Sequence, residues 1–371
     1  MTGSTPPTSD RSNYGIDYPF CSPSDVGGQR YISETERYVS EKGYRLGRPI
    51  PPGGIIVTCI GIIGKVGIAS RAMISNQQIN AVIVKPEFDI EFIFDAIGHI
   101  APTMRTRASQ QTLPILSKLE FGKVCIRIPP IPEQKKLGHF LSILDSRIAA
   151  QHKLVELLKK HKRGLSNGIF SGKIRLVKSG EWGTYRLAEL VRRVTRKNGM
   201  TSDVPLTISA QYGLIDQREF FSKSVASADM SGYYLLKRGE FAYNRSSSGE
   251  YPFGSIKRLE RYAQGAVSTL YLCFEAKGDE DDAAFLKWYF DSCAWHREVG
   301  MICAEGARNH GLLNVPTDGF FDTKHILPTD KRERKKIAAI MALADARCES
   351  AETELNRLTT LKMGLLQQLF A

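Results

Sequence analysis

Arginine matches the edge of guanine, and asparagine or glutamine that of adenine, because their donors and acceptors fit those base edges in a duplex groove. Four short stretches concentrate such side chains. "SNQQIN" (75–80) carries Asn76, Gln77 and Gln78, and "MRTRASQQT" (104–112) carries Arg105, Arg107, Gln110 and Gln111. "YNRSSSGEY" (243–251) carries Asn244 and Arg245, and "EGARNHGLLN" (305–314) carries Arg308, Asn309 and His310. Any one of these residues is at home in an ordinary polar loop. Together they read as a DNA-contacting surface, because the second pair of stretches takes places in its half of the chain that correspond to the first pair's.

Chemistry of other kinds finds little support. In "CIGIIGKVG" (59–67), Cys59 stands where a phosphate-binding loop has its first Gly. Val66 follows Lys65 where Ser or Thr would hold magnesium, so the stretch reads as strand–turn–strand. "RIPPIP" is not the Asn- or Asp-Pro-Pro-aromatic motif with which adenine methyltransferases grip a base. The seven histidines form no H-x-x-x-H pair, and the seven cysteines are scattered without a C-x-x-C. No catalytic residue, metal site or cofactor of the chain's own is expected, and the cysteine usage suits a reducing cytoplasm.

Charge adds a direction. Lys and Arg number 51 against 39 Asp and Glu, a net +12, which tilts the partner toward a polyanion. Residues 131–173 hold nine basic and three acidic residues, half of that excess. A solvated helix face is the plain alternative. The acidic "GDEDD" (278–282) should face away from phosphates. No apolar run approaches the ~18 residues of a membrane span, so no membrane partner is expected.

The elements that position these loops repeat. Shifted by 200 residues, Glu133, Lys135, Lys136, Asp145, Arg147, Leu158, Lys162, Gly164, Leu165 and Phe170 fall on identical residues from Glu333 to Phe370. Leu137, Leu141, Leu144, Ile148, Val155 and Leu158 step by fours, threes and sevens as a heptad seam does. Ile337, Met341, Leu355 and Leu358 repeat that register. Each stretch predicts a helix of roughly 55–60 Å at ~1.5 Å per residue. One apolar stripe on so long a helix needs a cover, and the two stripes cover each other. Gly164 and Gly364 interrupt both helices and are expected to admit another backbone closely.

The fold class is therefore α+β: a tandem duplication of a mixed α/β domain followed by a long helix, the helices pairing as an antiparallel coiled coil. The boundaries read as a first domain over 1–130, a helix over 131–173, a second domain over 174–327 and a helix over 328–371. A coiled-coil scaffold whose domains bind protein partners is the alternative function.

"FGKVCIRIP" leading into "IPPIPEQKKL", with Asp145, Lys162, Gly164 and Phe170 behind it, resembles the specificity subunit of Type I restriction–modification systems, as does "GSTPPTS" followed by "DYPFCSPSDV". The resemblance runs through the whole chain. The second copy departs from it in having Arg334 where Gln134 stands. It implies two target-recognition domains, each reading one half of a bipartite site in double-stranded DNA. It also implies that the paired helices set the spacing and dock two methyltransferase subunits, with restriction subunits joining the complex. S-adenosylmethionine, ATP and magnesium would then belong to those partners. By symmetry, a lead-in equivalent to 180–199, with Trp182, Leu187 and Leu190, is expected before the first domain, and the sequence opens without one.

Overall fold

The computed structural model describes the chain apart from residues 110–111, 178–179, 210–211, 221–226, 228, 248–250, 304–312 and 371. It divides into two compact units, Met1–Val155 with Ser350–Ala371, and Glu156–Glu349.

The first unit holds strands Tyr14–Cys21 (β1), Tyr31–Ile32 (β2), Tyr38–Val39 (β3), Ile55–Thr58 (β4), Val66–Ala69 (β5), Ile74–Ser75 (β6) and Ile79–Val82 (β7). Its helices are Glu41–Leu46 (α1), Ile90–His99 (α2), Ala101–Thr106 (α3), Lys118–Gly122 (α4) and the start of Ile131–Phe170 (α5). The β-branched run "IIVT" becomes β4, all four residues buried, at the centre of a sheet ordered β2-β5-β4-β7. Ile55 and Val57 pack with Phe92, Ile93 and Ile97 of α2, and Leu137 and Phe370 from the long helices close over that core.

The second unit holds Trp182–Arg186 (β8), Leu187–Leu190 (α6), Val191–Val194 (β9), Leu206–Ser209 (β10), Gly213–Asp216 (β11), Gln217–Phe220 (α7), Tyr234–Lys237 (β12) and Phe241–Asn244 (β13). Ser255–Arg258 (β14), Gln264–Val267 (β15), Leu272–Ala276 (β16), Glu280–Asp291 (α8), His296–Ile302 (α9), Thr317–Asp322 (α10), Lys324–Pro328 (β17) and the start of Lys331–Leu369 (α11) follow. Its main sheet runs β14-β13-β16-β9. Phe241, Phe274, Phe285 and Phe290 form its core with Phe170, Ile337 and Met341 of the long helices.

The two sheets share a plan. β4 lies antiparallel between β5 and β7, as β13 lies between β14 and β16. Val57 pairs with Asn80 as Tyr243 pairs with Leu272. An aspartate caps the helix after each sheet: Asp89 accepts from the Phe92 amide, and Asp279 from that of Asp282. Beside β7, Thr2 bridges Asn80 in the place that β9 takes beside β16. β8 instead pairs with β17 over five residues.

The long helices run antiparallel within each unit. In the first, Gln151 donates to the Ala351 carbonyl at 2.9 Å and Arg147 approaches Glu354 at 3.6 Å. Leu141, Leu144, Val155 and Leu358 are buried there, and Leu137, Ile148 and Leu355 half-buried. In the second, Ile337 and Met341 are buried and Leu158 is half-buried. Gly164 and Gly364 do not behave as expected. A β-carbon at either would meet nothing within 4 Å, so neither admits a neighbouring backbone. Among the described residues no helix is long and apolar enough to cross a membrane.

Candidate nucleic-acid interface

At one end of the first sheet, three segments are tied together around the β4–β5 turn. The Cys59 amide donates to the Gln78 carbonyl at 2.9 Å, and the Leu116 amide to the Cys59 carbonyl at 2.8 Å. The Gly61 amide donates to the Pro114 carbonyl at 2.9 Å. Arg105 completes the junction, its Nε donating to the Ile63 carbonyl at 3.1 Å. The dismissed "CIGIIGKVG" stretch is thus the hub on which the polar stretches converge. Burial pushes the Cys59 thiol above its ordinary value, which leaves it an inert packing group.

Each sequence-selected residue of this half has a definite place. Gln77 is exposed and accepts from the Thr5 hydroxyl at 2.8 Å. Asn76 is buried, with its amide bonded to the Gln78 side chain and its oxygen to the Gln78 amide. Asn76 therefore shapes the turn, and Gln77 is the side chain the turn presents. Arg105 is exposed beyond its single bond, whereas Arg107 leans toward Glu120 at 3.9 Å. Gln110 and Gln111 lie outside the described residues.

The second unit builds the same junction by other means. The Leu313 amide donates to the Arg245 carbonyl at 2.9 Å, as Leu116 does to Cys59. Strand register places Arg245 where Cys59 stands and Leu270 where Gln78 stands. The Arg245 guanidinium donates to the Leu270 carbonyl at 3.0 Å and to the Val315 carbonyl at 3.2 Å. This arginine holds three segments together, a task its residue type does not advertise. Asn244 accepts from the Ser246 amide at 3.0 Å and is half-buried. Arg308, Asn309 and His310 lie outside the described residues.

This register corrects one correspondence drawn from the sequence. "YNRSSSGEY" is equivalent to the β4–β5 turn and not to "SNQQIN", whose counterpart is the segment entering β16. Backbone pairing fixes that equivalence.

A second surface is carried by the helices. On α5, Phe140 and Ile143 are 49% and 54% exposed, and on α11 the residues 200 positions on, Ile340 and Leu343, are 36% and 64% exposed. Arg147 and Arg347 continue the two stripes, four residues on. These residues lie outside the heptad seam read from the sequence. The sequence signal was there, in a second apolar spacing of three repeated in both copies.

Residues 1–160 match the family model described as the Type I restriction modification DNA specificity domain. The chain is 30% identical over 164 residues to the Type I restriction enzyme MjaIX specificity subunit of Methanocaldococcus jannaschii, covering 43% of this chain and 38% of that one. It is 33% identical over 134 residues to the HindI specificity subunit of Haemophilus influenzae, covering 35% of this chain and 29% of that one. These matches thus span well under half of either relative. In fold, the chain resembles the Type I restriction–modification S subunit from M. genitalium with a TM-score of 0.59 at 15% identity, covering 100% of this chain and 96% of that one. A chain from a structure of Type I restriction–modification complex assembly gives 0.56 at 13% identity, with 100% and 94% covered. Residues 1–160 thus match a Type I restriction modification DNA specificity domain, and the whole chain shares its fold with a Type I restriction–modification S subunit.

Proposed function

We propose that this chain is the DNA-reading, non-catalytic subunit of a Type I restriction–modification complex. Each duplicated domain reads one half of a bipartite target in double-stranded DNA, and the paired helices set the distance between the halves. The observation that carries this reading is the repeated three-segment junction, centred on Cys59 in one half and on Arg245 in the other. It gathers three segments at equivalent places on two sheets of the same plan.

The helices also dock two methyltransferase subunits, which restriction subunits join. Two equivalent exposed stripes, Phe140–Ile143–Arg147 and Ile340–Leu343–Arg347, support two equivalent partners. Exposed apolar groups repeated at this spacing mark a contact surface more than chance exposure does. S-adenosylmethionine, ATP and magnesium reside on those partners.

Labelled methyl transfer tests the division of labour. The purified chain alone should transfer no methyl group, and adding modification subunits should give transfer to adenine in DNA. Transfer by the rigorously purified chain would contradict the proposal.

A further inference from the structure

The apex of the β4–β5 turn is apolar and faces solvent. Ile62 is 59% exposed between Gly61 and Gly64, which take φ of 72° and 86°. Ile63 is buried in the core at 3% exposure, so the turn is anchored and holds Ile62 outward. Leu113 and Ile115, on the segment bonded beside it, are 52% and 41% exposed. Scattered single aliphatics on a surface are ordinary, but three branched ones on two adjoining segments form a patch.

The surroundings of the patch are polar. Arg105 is bonded to the Ile63 carbonyl, and Gln77 lies one residue from the Gln78 carbonyl that binds Cys59. The same turn in the second half opens Arg245-Ser246-Ser247 where the first opens Cys59-Ile60-Gly61. The two halves therefore offer different chemistry at equivalent places. In the duplex major groove the one apolar group on a base edge is the thymine C5-methyl, and polar base edges flank it. An aliphatic apex beside a glutamine and an arginine matches that pattern.

We propose that Ile62, supported by Leu113, contacts a thymine methyl in the half-site read by the first domain and so helps determine its sequence. This rests on the reading that the domains bind DNA, and the experiment separates the two. Methylome sequencing of cells carrying the chain with its methyltransferase subunits first defines the half-sites. If no bipartite site is methylated, the DNA reading itself fails, and the thymine contact with it.

Binding of the assembled complex is then measured on duplexes in which each thymine of the target is replaced singly by uracil. Uracil removes one methyl group and keeps the hydrogen-bonding edge. At one position of one half-site, uracil should weaken binding about four-fold, the value of one buried methyl. In the Ile62→Ala complex that same replacement should cost little. Ile62 is exposed, so this variant should keep its fold, and an unchanged melting temperature would check that. Unchanged binding across the whole uracil series would overturn the proposal. So would a uracil penalty that persists undiminished in Ile62→Ala, or an Ile62→Ala chain that reads DNA normally but fails to assemble.

Discussion

Lys362 on α11 meets Asp145 on α5 at 2.5 Å, and their duplicates exchange roles: Lys162 on α5 bridges Asp345 on α11. Two copies of one helix that pair antiparallel in the same register must do this, since a contact from i to j implies one from j to i. The four residues are identities of the duplicated helices, so repeat and pairing are one fact seen twice. Lys162 also lies over the Trp288 ring, 5.4 Å from its centroid.

These pairs are mostly shielded, Lys362 and Asp145 being 22% and 17% exposed in their side chains. A double-mutant cycle with Asp145→Ala and Lys362→Ala should give a coupling of about 1 kcal/mol, above that of an exposed pair. Asp145 also approaches Arg30 at 3.4 Å, whereas for Asp345 the described ion pair is the one with Lys162. Asp145→Ala should therefore cost more than Asp345→Ala in chemical denaturation. Equal costs would mean that the Arg30 contact adds nothing.

A pH dependence follows from the same cluster. Arg30 contacts Asp95 at 2.5 Å and Glu91 at 3.1 Å as well as Asp145, so three carboxylates share Arg30 and Lys362. Burial outweighs the attraction of Arg30 and Lys362 and pushes the Asp95 carboxyl up to about 7. A folded-state value above the unfolded 3.8 means that the fold holds a proton the unfolded chain has lost. The associated stability is full below about pH 4 and is lost as pH rises through 7. Asp95→Asn mimics the protonated group, so at pH 5, where only part of that stability is lost, it should raise stability modestly. At pH 8 it should raise stability relative to wild type by on the order of 2 kcal/mol. Denaturation curves at the two pH values check this, and an equal shift at both would refute it.

Docking can be separated from folding on the helix surface. Phe140→Asp with Ile143→Asp changes exposed side chains, so the melting temperature should hold while binding of one methyltransferase subunit is lost. Adding Ile340→Asp and Leu343→Asp should abolish both. Size-exclusion chromatography with light scattering reads the stoichiometry. Retention of two subunits by the four-fold variant would place docking elsewhere.

The long helices and their duplication were legible in the sequence because a heptad stripe and ten identities survive without any knowledge of packing. The partner of Gln134 was not. Its side-chain oxygen accepts from the Asp89 amide while its nitrogen donates to the Pro129 carbonyl. Arg334, which looked like a departure from the pattern, does the equivalent work by donating to the Pro328 carbonyl and to Asp282. Different residues fill one role because the groups they face also differ. The structural task of Arg245 was hidden for a related reason: its type suits a base edge, but the backbone carbonyls around it had no sequence signature.

If the helices are the ruler, lengthening them should alter the gap in the target and nothing else. A heptad inserted after Val155 and another after Leu355 keep both seams in register. They add roughly 10 Å at ~1.5 Å per residue, about three base pairs at ~3.4 Å each. The variant should methylate the same half-sites at a longer gap, or none. Robust methylation at the original gap would show that spacing is set by other parts of the complex.

Two independent readers in one chain are the core of the proposed function. Methylome sequencing of cells carrying this chain with its methyltransferase subunits tests that most directly, with the wild type compared against Gln77→Ala. Methylated adenines should fall in a motif of two fixed half-sites separated by a gap of constant length, and Gln77→Ala should relax one half-site alone. A single contiguous motif, or both half-sites relaxing together in Gln77→Ala, would contradict it.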